Sequence, residues 1–119
     1  MNPDAYIPLY GNDFNAAIRG HPSCVGIGYW RALWHYWHHA HCAGIKNDDG
    51  FMQRVCELND AEWLLAQGVI FGDFFQLGED GLWHQGRAAE EWAKSVEKYK
   101  AVKKRANDGA NARWGKKRR

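Results

Sequence analysis

Between Ser23 and Cys42, apolar side chains return at helical intervals. Tyr29, Leu33, Tyr36 and Ala40 share one face, and Trp30, Trp34 and Trp37 share its neighbour. The spacing predicts a central helix that is apolar around most of its circumference. If the Trp34 ring is buried there, Trp34→Ala is expected to cost about 3 to 5 kcal/mol. Upstream, Tyr6, Ile7, Leu9 and Tyr10 are broken by Pro8 and followed by Gly11-Asn12, which suits a short extended arm. Asp13 is placed to cap a short helix that runs through Ile18 and stops at Gly20 and Pro22. Downstream, Lys46-Asn47-Asp48-Asp49-Gly50 reads as a turn, after which Phe51, Met52, Val55 and Leu58 open a third helix. Asn59 or Asp60 is positioned to cap a fourth, expected over about Asp60 to Phe75 and carrying Trp63, Leu64, Val69, Ile70, Phe71, Phe74 and Phe75. Phe75-Gln76-Leu77 and Leu82-Trp83-His84 flank Gly78-Glu79-Asp80-Gly81, the pattern of a β-hairpin. The run from Arg87 to Arg105 has no Gly or Pro, and its first half is expected to be an amphipathic helix with Ala88, Trp92, Val96 and Tyr99 on its apolar face. That face gives out beyond Tyr99, and Asn107-Asp108-Gly109 is expected to end the helix.

Helices followed by a hairpin and a further helix give a mainly α, α+β expectation: a winged helix-turn-helix-like domain over residues 1–99 and a basic C-terminal extension over 100–119. At 119 residues the chain suits one core, and 45% hydrophobic with 14% aromatic residues excludes global disorder. Gly20 to Trp30 and Ala32 to Ile45 are the longest stretches without a formal charge, and neither reaches the roughly 18 to 20 apolar residues of a membrane span. Met1-Asn2-Pro3-Asp4 shows no basic region leading into an apolar stretch, so no secretory signal is expected. Cys24, Cys42 and Cys56 are odd in number and form no CxxC pair, the pattern of free thiols in a reducing cytoplasm.

The formal charge of +2 conceals a segregation. Residues 1–86 carry four basic side chains against ten acidic ones, a net of −6, while Arg87 onward carries twelve against four, a net of +8. From Lys98 the cations are Lys98, Lys100, Lys103, Lys104, Arg105, Arg113, Lys116, Lys117, Arg118 and Arg119, opposed by Asp108 alone. Such a run neutralises phosphates independently of base sequence and releases counterions, so its binding would be salt-dependent. Trp114 within the run is placed to stack on an exposed base, a contact worth about 1 to 3 kcal/mol. The bland reading is a solvated, solubilising terminus. The fourth helix, where a helix-turn-helix normally reads the major groove, has no Lys or Arg and carries Asp60, Glu62 and Asp73. Groove reading by that segment is therefore not expected.

His35, His39 and Cys42 recur at i, i+4 and i+7, and imidazole with thiolate is a zinc ligand set. Structural sites draw on two chain segments, however, and no second CxxC or HxxxH is present, so packed or surface histidines are the expectation and no metal is assigned. Gly26-Ile27-Gly28 lacks the third glycine of a dinucleotide loop, and no GxxxxGK or calcium-loop spacing occurs. No cofactor is implied. The pairs Asp48-Asp49 and Glu79-Asp80 belong to turns, and no Cys/His nucleophile pair is legible, so no enzyme is expected.

One ordered set of residues resembles the YdaU-like family of phage and prophage proteins of unknown function, associated with DNA replication. The set is Asp13-Phe14, Gly28-Tyr29-Trp30-Arg31-Ala32-Leu33 continuing to His35-Tyr36-Trp37, Asp48-Asp49, and Phe74-Phe75 with Asp80-Gly81-Leu82-Trp83-His84. Arg87, Glu90 or Glu91, and Ala110-Asn111-Ala112-Arg113-Trp114-Gly115 complete it. The resemblance implies a winged-helix module acting beside phage replication genes, in the cytoplasm of a bacterial host, often as the N-terminal part of a longer protein. Two functions follow as expectations. One is a non-catalytic replication accessory held on single- or double-stranded DNA by its basic extension. The other is a protein-binding module whose acidic, aromatic-rich body contacts a replication protein or host factor such as a helicase, its loader or a regulator. Exposed rings among Trp30, Trp34, Trp37, Trp63 and Trp83 would favour the second.

Overall fold

The computed structural model describes the backbone of residues 7–117 and the side chains of residues 7–110. Tyr6, at the head of the expected arm, lies outside the described residues. Ile7 to Tyr10 are without regular structure and lie against the elements that follow. α1 (Gly11–Ile18) begins before Asp13, so Asp13 sits in its first turn, where a carboxylate faces unpaired N–H groups, instead of at its cap. Phe14 stacks on Tyr29 at 5.2 Å and fastens α1 to α2 (Ser23–His38).

α2 is the central element. Val25, Ala32, Tyr36 and Trp37 are fully enclosed, and Tyr29 and Leu33 nearly so. The condition of burial is not met at Trp34: the residue is 42% exposed, because Tyr29, Leu33 and Tyr36 already fill the side of the helix that meets its neighbours. α2 also stops at His38, short of Cys42. His41 and Cys42 take left-handed φ values of 50° and 57°, and the Cys42 N–H donates to the Tyr36 carbonyl at 2.8 Å, so the chain reverses. Gly44 completes the reversal at φ 128°, and a Cβ there would lie 2.6 Å from Leu82.

The reversed chain forms β1 (Ile45–Lys46), a strand the sequence pattern does not reveal; Lys46 pairs with Leu82 and is not a turn residue. α3 (Asp49–Cys56) is capped by Asp48, whose carboxylate accepts from the Phe51 N–H at 2.9 Å. α4 (Asp60–Ile70) starts on a complete capping box: the Asn59 side chain accepts from the Glu62 N–H at 2.8 Å, and the Glu62 side chain accepts from the Asn59 N–H at 3.0 Å. It ends at Ile70, not near Phe75. Gly72 and a bridge between Phe71 and Phe75 bend the chain, which buries Phe75 at the entrance to β2 (Gln76–Leu77). β3 (Leu82–His84) pairs antiparallel with β2 as the hairpin expects, and with β1 on its other edge, giving the order β1-β3-β2. The fold is thus mainly helical with a small three-stranded antiparallel sheet.

The core lies where α2 packs on α3 and α4. Gly28 permits the closest approach, since a Cβ there would stand 2.7 Å from Ile70 Cδ1 and 3.0 Å from Leu58 Cδ1. The sheet is tied to α2 through the Tyr36 hydroxyl, 3.0 Å from His84 Nδ1. His84 Nε2 lies 2.9 Å from the Asp80 carboxylate, which only accepts; the neutral ring therefore carries its proton on Nε2 and receives the Tyr36 O–H on Nδ1. α5 (Gly86–Lys117) closes the order of elements.

Candidate nucleic-acid interface

The basic residues singled out in the sequence belong to α5, so the root of that helix decides where they stand. Gln85 caps it: its side-chain oxygen accepts from the Ala88 N–H at 2.7 Å, and its Nε2 donates to the Tyr29 hydroxyl at 3.2 Å. Ala88 is buried, and the Cys42 thiol donates to its carbonyl at 3.7 Å. Trp92 meets Trp37 edge-on at 5.0 Å and stacks on His41 at 5.0 Å with the rings 10° apart. Arg87 is paired with Asp13 and lies over the Tyr10 ring at 3.8 Å, so arm, α1 and α5 converge on one cation. Two turns of α5 are thereby fixed to the globule.

Beyond them the helix leaves the body. At 1.5 Å per residue its 32 residues span about 48 Å, and the molecule measures 70 Å along its longest axis. It runs unbroken across Tyr99 and through Asn107-Asp108-Gly109, where the sequence predicts an end. α5 contains no proline, and an interior glycine such as Gly109 weakens a helix by about 1 kcal/mol without stopping it. Ala106 and Ala110 on either side favour its continuation.

Lys98, Lys100, Lys103, Lys104 and Arg105 are all exposed on this projecting segment. Lys100 approaches Glu97 at 3.7 Å; Lys98, Lys103, Lys104 and Arg105 make no ion pair among the described residues. Arg113, Lys116 and Lys117 continue on the same helix, as does Trp114, though their side chains fall outside the described ones. Arg118 and Arg119 lie outside the described residues altogether.

One cation of the body, Arg31, is used internally. Arg31 Nε pairs with Glu57 at 3.2 Å, and its Nη1 donates to the carbonyls of Cys56 and Glu57, closing the C-terminus of α3. α4 buries Trp63, Ala66 and Ile70 and turns Leu64 and Leu65 outward, 72% and 63% exposed. Leu64 is therefore not core, against the sequence reading. The signal was present, since Trp63, Ala66 and Ile70 alone satisfy an i, i+3, i+7 face. Of the tryptophans proposed as interface anchors, Trp37 and Trp63 are buried, Trp30 and Trp83 half-buried, and Trp34 exposed.

His35, His39 and Cys42 do not assemble. The two imidazoles are 5.3 Å apart, while the reversal after α2 sends the Cys42 thiol to α5. Among the described residues no group of three His, Cys, Asp or Glu side chains is placed to hold a metal ion. Burial, with the charge of His39 second, lowers the pKa of His35 below the usual imidazole value. A cleft of about 220 Å³ between the N-terminal arm, α1, α2 and α5 is lined mainly by apolar groups around the Arg87–Asp13 pair.

No protein-family model matches the chain, and comparisons with curated proteins and with solved structures found no significant match.

Proposed function

We propose that this protein is a non-catalytic nucleic-acid tether, a winged-helix-like domain that holds itself on DNA through the basic projecting half of α5. The observation that carries the reading is the contrast between two helices. α5 presents exposed, unpaired cations on a rod clear of the body, while α4 has no Lys or Arg and two bare leucines. The element order α2, β1, α3, α4, β2, β3, α5 and the sheet order β1-β3-β2 support the winged-helix part. The YdaU-like resemblance supports a setting in phage DNA replication, in the bacterial cytoplasm. Contacts through Lys98, Lys100, Lys103, Lys104, Arg105, Arg113, Lys116, Lys117, Arg118 and Arg119 would go to phosphates, with Trp114 stacking on unpaired bases.

A salt titration tests this. Five phosphate contacts give a log–log slope of about −4.5 on duplex DNA and about −3.5 on single strands. A chain ending at Tyr99 retains every buried core residue and is expected to lose most of that slope. Equal affinity and slope for the two chains would refute the tether. A second reading, in which the body binds a replication protein or host factor, is favoured by the α4 leucines and by Trp34, all exposed on an acidic globule.

A further inference from the structure

Among the described residues, two helical surfaces with exposed apolar side chains stand without a partner inside the molecule. One is the outer face of α4, where Leu64 and Leu65 stand beside Ala61 and Gly68; a Cβ on Gly68 would meet nothing within 4 Å, so a helix can approach closely. The other is the projecting half of α5. The face that docks Ala88 and Trp92, which the sequence pattern ends at Tyr99, is carried past it on the continuous helix by the smaller Val102, Ala106 and Ala110, with Val102 46% exposed. Most helical stability in proteins comes from packing an apolar face, so the projecting segment gains by covering such a stripe.

The two surfaces are opposite in charge. Val55 through Gly86 contain no Lys or Arg and six carboxylates, among them Asp60 and Glu62 in the first turn of α4 and Asp73 just beyond its end. The α5 stripe is bordered by Lys98, Lys103 and Arg105. Within one chain they do not meet, because α5 leaves the body as a continuous rod. DNA is excluded from the α4 face by the same carboxylates. We propose that the outer face of α4 takes the projecting half of α5 from a second copy of this chain, so that two molecules associate head to tail. The inference rests on α4 being a protein-facing surface, and it names the occupant. The leucines supply the apolar contact, and the acidic border sets register against the lysines.

Sedimentation of the full chain without nucleic acid tests it, over about 1 to 100 μM protein and from low to high salt. The expected result is reversible association at low salt that weakens at least tenfold as salt rises. Leu64→Lys, at an exposed position, and Lys98→Glu with Lys103→Glu are each expected to abolish association while leaving the circular dichroism and melting curve unchanged. Mixing the two variants is the decisive arm. One retains its tail and the other its α4 face, so a mixture restores one junction and re-forms pairs. Packing of α4 on α4, or of tail on tail, would give no rescue. A monomer at every salt concentration, an association indifferent to both variants, or a mixture that stays monomeric would overturn the proposal. A monomer that captures another protein through α4, with capture lost in Leu64→Lys, would overturn the second-copy occupant and leave the protein-facing reading standing.

Discussion

Trp34 and Trp37 lie three residues apart on one helix and differ in every energetic respect. Trp37 is fully enclosed against Trp92, and its truncation to Ala is expected to cost about 3 to 5 kcal/mol. Trp34, 42% exposed and in ring contact with His38 and His39, is expected to cost less than about 1 kcal/mol on the same change, so chemical denaturation of the two variants should separate them widely. Spacing alone could not rank them: an all-round apolar helix shows no polar face from which to orient it, and the side that packs is chosen by α3 and α4. Buried thiols and a phenol give a second prediction at this scale. Burial pushes Cys42 and Cys56 up to about 12, and Tyr36 to about 12 with help from the neighbouring Cys42. Their folded values exceed their ordinary ones, so the native state keeps protons that the unfolded chain releases. The stabilisation is complete below about pH 9 and is lost as pH rises toward 12. Melting temperatures are expected to fall across that window, and the fall should be shallower in Cys56→Ala.

Among the elements, those with side-chain signals were legible and those made by tertiary contact were not. Asn59 announces α4 and Gly78 to Gly81 announces the β2–β3 turn, because each supplies a local hydrogen bond or a permitted backbone angle, whereas Asp48 reads as a turn residue and is in fact the cap of α3. β1 has two residues, too few for alternation to register, and exists because β3 offers an edge after the Gly44 reversal. The ends of α2 and α4 were misplaced for a related reason. Apolar residues continue past both, but they enter the core through turns. For α5 the difference runs the other way: Asn107-Asp108-Gly109 reads as a stop, but the helix passes through it because one glycine weakens a helix without ending it. If the helix passes through it as described, Gly109→Ala meets open space and is expected to stabilise the segment by about 0.5 to 1 kcal/mol, read as increased far-ultraviolet helicity. A helix ending before Asn107 would show no gain.

For the molecule as a whole, the charge segregation legible in the sequence acquires a shape: the negative part is a globule and the positive part a rod fixed to it at Ala88 and Trp92. The candidate tail residues are therefore readable as a list, whereas the presentation of Lys98 to Lys117 on a single projecting helix is not. Because one tail would serve both phosphates and a second copy, the two partners compete by linkage, and duplex DNA is expected to lower the sedimenting mass as it binds. The same uneven distribution of lysine and arginine also dictates how a protease specific for those residues will cut. Trypsin has no target between Arg54 and Arg87, and the guanidinium of Arg87 is held by Asp13 and Tyr10. Digestion should begin in the rod and pause once it is shaved, leaving a resistant core whose new C-terminus, read by mass spectrometry, lies between Lys94 and Lys100.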